Sequence, residues 1–227
     1  MKWTKACFSP ACFFFASWLA LAPLYCYGFL GKAYAAKIDS THKATSDTPK
    51  GRVNTWKRLI RTHKDLPPIE KLNLINAFFN QLKYQPDSPL QGSADVWLTP
   101  IEFLTIGRGD CEDFAIGKFF TARAMGIPEE KLRITYVILK DRNIAHMVLS
   151  YYPQADASPL ILDNVVKTIL PATQRPDLKP VYSFGIEEVW LFQRAGETKK
   201  YGNAKRLSKW RALLKRIEQE RSLRTNQ

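Results

Sequence analysis

Gly107-Arg108-Gly109-Asp110-Cys111-Glu112-Asp113-Phe114 divides the chain into a helical half and a stranded half. Its two glycines let the backbone turn sharply, and the cysteine then opens a predicted helix that ends at Gly126-Ile127-Pro128. Within that helix Phe114, Ala115, Phe119, Ala122 and Met125 supply the apolar face. Upstream, residues 52–64 and 68–83 carry helical patterns, the second with Pro68 in its first turn and Leu72, Ile75, Phe78, Phe79 and Leu82 at helical spacing. Thr99 and Glu102 form a capping-box pattern that predicts a short helix over Thr99-Pro100-Ile101-Glu102-Phe103-Leu104. Downstream the pattern changes to strands: Leu132–Leu139, Ala145–Tyr152, Leu160–Asp163, Val181–Phe184 and Glu188–Phe192. Helices first and antiparallel strands after predict an α+β domain.

A thiol at a helix mouth is a candidate nucleophile, because the backbone N–H groups there carry partial positive charge that favours the thiolate. Cys111 is followed by one strand-borne histidine, His146, and one strand-borne aspartate, Asp163. On the strand, His146 shares a face with Val148 and Ser150, while Met147 and Leu149 point into the opposite layer. A hairpin between that strand and Leu160–Asp163 brings Asp163 beside His146. The carboxylate can then accept the imidazole N–H, fix the tautomer and favour the imidazolium formed when the histidine takes the thiol proton. Alone, a cysteine at a helix start is most often a small packed hydrophobe, and a strand histidine is most often structural. His42 falls in a polar segment and His63 in a lysine-rich helix, which leaves His146 as the base for a Cys-His-Asp set.

The other cysteines, Cys7, Cys12 and Cys26, lie at the N-terminus, where no charge interrupts the run from Cys7 to Leu30 and Lys2 and Lys5 precede it. This is the layout of a secretory signal over residues 1–35, with Ala33-Tyr34-Ala35 as an A-x-A cleavage site. Retention of the long apolar run as a membrane anchor is the alternative. In an exported chain, one leftover cysteine reads as a reactive thiol or an intermolecular bridge. Residues 36–51, rich in Lys, Ser, Thr and Asp, read as a linker, and 52–195 as the domain. Removal of residues 1–35 takes away Lys2, Lys5 and Lys32 and no acid, leaving 31 bases against 21 acids. Much of that excess is in residues 196–227, where Leu207, Trp210, Leu214 and Ile217 recur at helical spacing among bases. Such a helix packs on its own domain or lies on a membrane surface or acidic partner. Export makes nucleic acid an unsuitable explanation of the charge.

Trp97-Leu98-Thr99-Pro100-Ile101-Glu102-Phe103-Leu104, Gly107 to Ala115, Ala145-His146-Met147-Val148-Leu149 and Ile161-Leu162-Asp163-Asn164 together resemble the bacterial transglutaminase-like cysteine proteases of the LapG type. The resemblance spans roughly residues 52 to 195. It implies a papain-like α+β core with the cysteine on a helix packed against an antiparallel sheet, and makes Cys111 nucleophile, His146 base and Asp163 orienter. It also implies a periplasmic enzyme that cleaves a very large surface adhesin near its N-terminal retention module, typically at an Ala-Ala pair, so that a biofilm disperses. An inner-membrane cyclic di-GMP receptor of the LapD kind is the implied inhibitor.

Asp110, Glu112 and Asp113 crowd three carboxylates around a cysteine that must become an anion, which opposes thiolate formation. A bound cation removes that conflict, and hard oxygen ligands favour Ca²⁺ over Zn²⁺, in line with the calcium dependence that the resemblance implies. Asp110 and Glu112 are the stronger ligand candidates and Asp113 the weaker. Acids in a first helical turn also simply answer the macrodipole. For the oxyanion, the donors are the Cys111 backbone N–H and the Trp97 indole, as in related transglutaminase-like sites, although Trp97 is equally readable as a packed aromatic. Two other functions stay open: an acyl transferase using the same thioester, and a non-catalytic receptor-binding protein.

Overall fold

The computed structural model describes residues 48–86, 96–155, 157–193 and 198–225. The signal segment 1–35 and most of the linker lie outside these residues. Helix α1 spans Pro49–His63, capped by the Thr48 hydroxyl on the Gly51 N–H (3.2 Å). It therefore begins before residue 52, inside the stretch that reads as linker. Helix α2 (Pro68–Phe79) stops short of residue 83, because the chain turns at Asn80 and spends Lys83–Tyr84 on strand β1. That strand pairs in parallel with β2 (Arg108–Gly109).

Between them, helix α3 (Pro100–Ile106) carries the expected box: the Glu102 N–H donates to Thr99 Oγ1 (3.1 Å) and the Thr99 N–H to Glu102 Oε2 (2.7 Å). Gly107 ends it with φ +80°, a left-handed conformation that glycine adopts without strain. The Arg52 guanidinium of α1 reaches across to the orphan carbonyls of Leu104 (2.6 Å) and Thr105 (2.8 Å). Helix α4 (Cys111–Ala124) is the central helix, buried on nearly every side from Asp113 to Ala122.

The sheet has seven antiparallel strands in the order β6-β5-β4-β3-β7-β8-β9. These are β3 (Leu132–Leu139), β4 (Ile144–Tyr151), β5 (Leu160–Leu162), β6 (Leu170–Pro171), β7 (Leu178–Phe184), β8 (Glu188–Phe192) and β9 (Thr198–Asn203). Alternation divides its side chains. Ile134, Met147, Leu149, Leu162 and Phe184 face the helices in the main core, while Val137, Leu139, Val148, Ile161 and Leu178 form a smaller cluster.

Helix α5 (Ser208–Thr225) closes the molecule. Trp210 and Leu213 are fully buried in the main core and Ile217 nearly so, with the Trp210 ring against Phe119, Phe120 and Phe184. Leu213 takes the buried place that helical spacing assigned to Leu214, which is only half-buried. Strand β9 and α5 carry the sheet and core past residue 195, where the sequence reading ended the domain. The stripe through Trp210, Leu213 and Ile217 is thus spent inside the protein, and the outer face of the helix is largely charged, with Leu223 exposed near its end.

Candidate active site

Two capping arrangements build the mouth of α4. Asp110, in extended backbone before the helix, accepts the Glu112 N–H on Oδ1 (3.2 Å). Asp113 reaches back to accept the Asp110 N–H on Oδ2 (3.2 Å), and its Oδ1 accepts the Leu98 N–H (2.9 Å). One carboxylate therefore ties the Trp97 segment to the first turn of the helix. Gly109 is required by space here: a Cβ would stand 2.3 Å from Asp113 Oδ2.

Cys111 is half-buried, with its Sγ–H donating to Glu112 Oε2 (2.9 Å). Burial, then the charge and hydrogen bond of Glu112, then the charge of Asp110 push its pKa far up, opposed by the Met147 N–H. In this arrangement burial first, and the acids after it, outweigh the helix terminus, so the lowering expected from the helix dipole alone is reversed. The Met147 contact also sets the sulfur against β4, one residue beyond His146.

His146 and Asp163 are both buried, at 4% and 1% exposure, and the imidazole Nε2 stands 2.8 Å from Asp163 Oδ1. The pairing of Leu149 with Leu162 delivers this meeting, since Asp163 directly follows β5. With Nε2–H donated to the carboxylate, Nδ1 is left to take a proton. Burial alone would raise the Asp163 pKa, but the bonds from His146, the Val165 N–H (3.0 Å) and Arg175 (2.9 Å) hold it well below the usual carboxylate range.

Arg175 is a residue that sequence reasoning missed. Its buried guanidinium also binds Asp177 (3.0 and 2.7 Å), and the Asp163 main-chain oxygen is fixed by Asn80 Nδ2 (2.8 Å). Lys118, two turns along α4 from Cys111, was missed as well. Its ammonium is fully buried without a hydrogen-bond partner among the described residues, 5.8 Å from the Phe114 ring centroid. Burial lowers its pKa to about 7 against the opposing pull of Asp163. A lysine seven residues after Cys111 in an apolar helix was the available signal.

A family model of bacterial transglutaminase-like cysteine proteinases matches residues 47–190. The chain belongs to that family. Among solved structures, it is similar to Legionella pneumophila LapG: 44% identity over 82% of this chain and 95% of that one, TM-score 0.68. The EGTA-treated form of LapG gives a TM-score of 0.69 at 44% identity, covering 82% of this chain and 97% of LapG. The calcium-bound form gives 0.67 at 44% identity, covering 81% and 98%. Comparison with curated proteins gives no match. The α+β fold is that of a transglutaminase-like protease, as the sequence leads one to expect.

The donors beside the proteinase's thiol suit a hard cation in kind. Glu112 accepts from the Cys111 thiol and the charge of Asp110 acts on the same sulfur; both acids, after burial and Cys111, also raise the pKa of the neighbouring Tyr84 phenol. Asp113 is committed through both oxygens to backbone N–H groups and is mainly a helix-start clamp. Among the described residues no group of three or more His, Cys, Asp or Glu side chains forms a ready metal cage. Backbone carbonyls and water would have to complete a calcium shell. The Trp97 indole N–H is buried without an acceptor among the described residues, while its ring packs on Phe184 and Trp210.

Proposed function

We propose that this chain is a periplasmic calcium-dependent cysteine endopeptidase that cleaves the N-terminal region of a large cell-surface adhesin, releasing it and promoting biofilm dispersal. The buried His146–Asp163 pair, one residue from the backbone contact of a helix-start thiol, is the observation that carries this reading. Cys111 Sγ attacks the substrate carbonyl as His146 takes its proton, and Asp163 stabilises the imidazolium. The proton then passes to the leaving amine, and water, activated by the neutral imidazole, hydrolyses the thioester. The Cys111 N–H and the Trp97 indole N–H are the donors for the oxyanion. Asp110 and Glu112 would hold Ca²⁺, with Asp113 a weaker participant; such an ion would supply positive charge and offset the penalty those acids impose on the thiol. LapG, calcium-bound in one of its structures, supports the choice of ion.

On the same reading, an inner-membrane cyclic di-GMP receptor restrains the enzyme, and the charged face of α5 contacts an anionic membrane surface. The deciding experiment incubates the purified chain, with Ca²⁺, with an N-terminal adhesin fragment carrying an Ala-Ala pair, with and without an added amine. Cleavage by wild type and none by Cys111→Ala is the expected result. Amine incorporation without cleavage would establish acyl transfer instead, and no covalent chemistry at all would leave a binding protein.

A further inference from the structure

The Trp97 segment is held from two sides, and only one side belongs to the catalytic helix. On that side the Leu98 N–H is taken by Asp113 of α4. On the other, the Arg216 guanidinium of α5 donates through Nη2 to the Trp97 carbonyl and through Nε to Glu102 (3.2 and 3.4 Å). Glu102 in turn takes the Thr99 N–H, and the Thr99 hydroxyl donates to Glu220, again on α5. The Trp97 ring meets the Trp210 ring edge-on at 6.4 Å, with Lys209 Nζ 6.0 Å from the Trp97 centroid. Three consecutive residues, 97 to 99, are thus fixed between α4 and α5. Yet α5 lies wholly outside residues 47–190, the part that the family model matches.

We propose that α5 is a working part of the active site, with Arg216 the positioning residue that sets the Trp97 indole for the developing oxyanion. The inference rests on the protease reading above. Arg216 and Glu102 are each about a third exposed, at 30% and 35%, so their ion pair contributes little to stability. What the guanidinium adds is direction: its planar fork joins a backbone carbonyl and a carboxylate in one geometry that an ammonium does not reproduce. Arg216 itself bonds the Trp97 carbonyl and Glu102, so its loss acts first on the Trp97 segment and the oxyanion donor it carries.

The test uses the full chain with Ca²⁺ and three probes: a fluorogenic peptide with an Ala-Ala junction, a peptide aldehyde that forms a tetrahedral adduct with Cys111, and iodoacetamide. For Arg216→Gln, kcat and aldehyde affinity should fall together by about 10- to 100-fold, a part of the loss seen when an oxyanion donor is removed outright. KM should stay within about twofold, as should the alkylation rate, because neither depends on the oxyanion. Arg216→Lys should recover little of kcat. Aldehyde affinity unchanged in Arg216→Gln, or a fall matched by equal loss of alkylation and of thermal stability, would overturn the positioning role alone. Wild-type protein that binds no aldehyde would instead overturn the protease reading.

Discussion

Asp163 answers three donors at once: Oδ1 takes the His146 imidazole and the Val165 N–H, and Oδ2 takes Arg175. Asp163→Asn keeps the shape but removes the charge and turns one acceptor into a donor facing another donor. Turnover should fall by about 10⁴-fold, as when a triad carboxylate is neutralised elsewhere. Stability should fall by about 3–5 kcal/mol, since Arg175 loses one partner of a buried pair. The sign with pH follows from the depressed Asp163 pKa. Its stabilisation is complete well above the unfolded value of about 3.9 and is lost as pH falls toward the folded value, so the gap between wild type and Asn variant, read by urea unfolding, should narrow in acid. Equal unfolding curves at neutral pH would contradict the buried pair. EGTA should abolish activity, Ca²⁺ should restore it and Mg²⁺ should not, because Mg²⁺ demands near-ideal octahedral geometry and gives up water reluctantly. Asp110→Ala or Glu112→Ala should mimic chelation, and titration calorimetry should show their Ca²⁺ binding lost; full activity of wild type in EGTA would reduce both to helix-start acids.

Helix α4 carries the Cys111 thiol at one end and the buried Lys118 amine two turns later, which ties the stability of the element to pH. Lys118 has its folded pKa lowered to about 7, so between there and the unfolded value of about 10.4 the unfolded chain binds more protons. Its burial therefore costs most below pH 7, and the cost vanishes as pH rises past the unfolded value. Lys118→Met should stabilise the protein at pH 6 by on the order of a few kcal/mol, with the gain shrinking steadily toward pH 10. A gain independent of pH would show that the Lys118 pKa does not differ between folded and unfolded chain, and no gain at all would show that the ammonium finds an acceptor. Elements of this kind were legible where periodicity was strong: α4, β3 and β4 follow from regular apolar spacing, and the β4–β5 pairing puts His146 beside Asp163. Strand β9 was hidden because Thr198-Lys199-Lys200-Tyr201-Gly202-Asn203 has no apolar alternation; as a sheet edge, exposed along most of its length, it is held by its ladder with β8. Arg175 was hidden for a different reason. It follows a short 3₁₀ turn in irregular chain, where no spacing rule says what a side chain will reach.

Trp210, fully buried in the main core, makes the basic C-terminal segment a structural wall of the molecule and not an appendage. A fully buried tryptophan removes about 150–250 Å² from water, worth about 4–6 kcal/mol at roughly 25 cal/mol per Å². Leu213 and Ile217 add to that, against a total stability on the order of 5–15 kcal/mol for a domain. A chain ending at Leu207 should therefore lose its cooperative fold, exposing Phe119, Phe120 and Phe184 where the Trp210 ring now packs. The expected signs are loss of the near-ultraviolet circular dichroism of the aromatic core and binding of an apolar dye. Exposed bases on the same helix behave otherwise: Arg211→Glu or Lys215→Glu should change stability by no more than about 0.5 kcal/mol, because neither side chain is buried. A truncated chain that unfolded cooperatively with wild-type stability would remove α5 from the core, and the proposed hold on Trp97 with it.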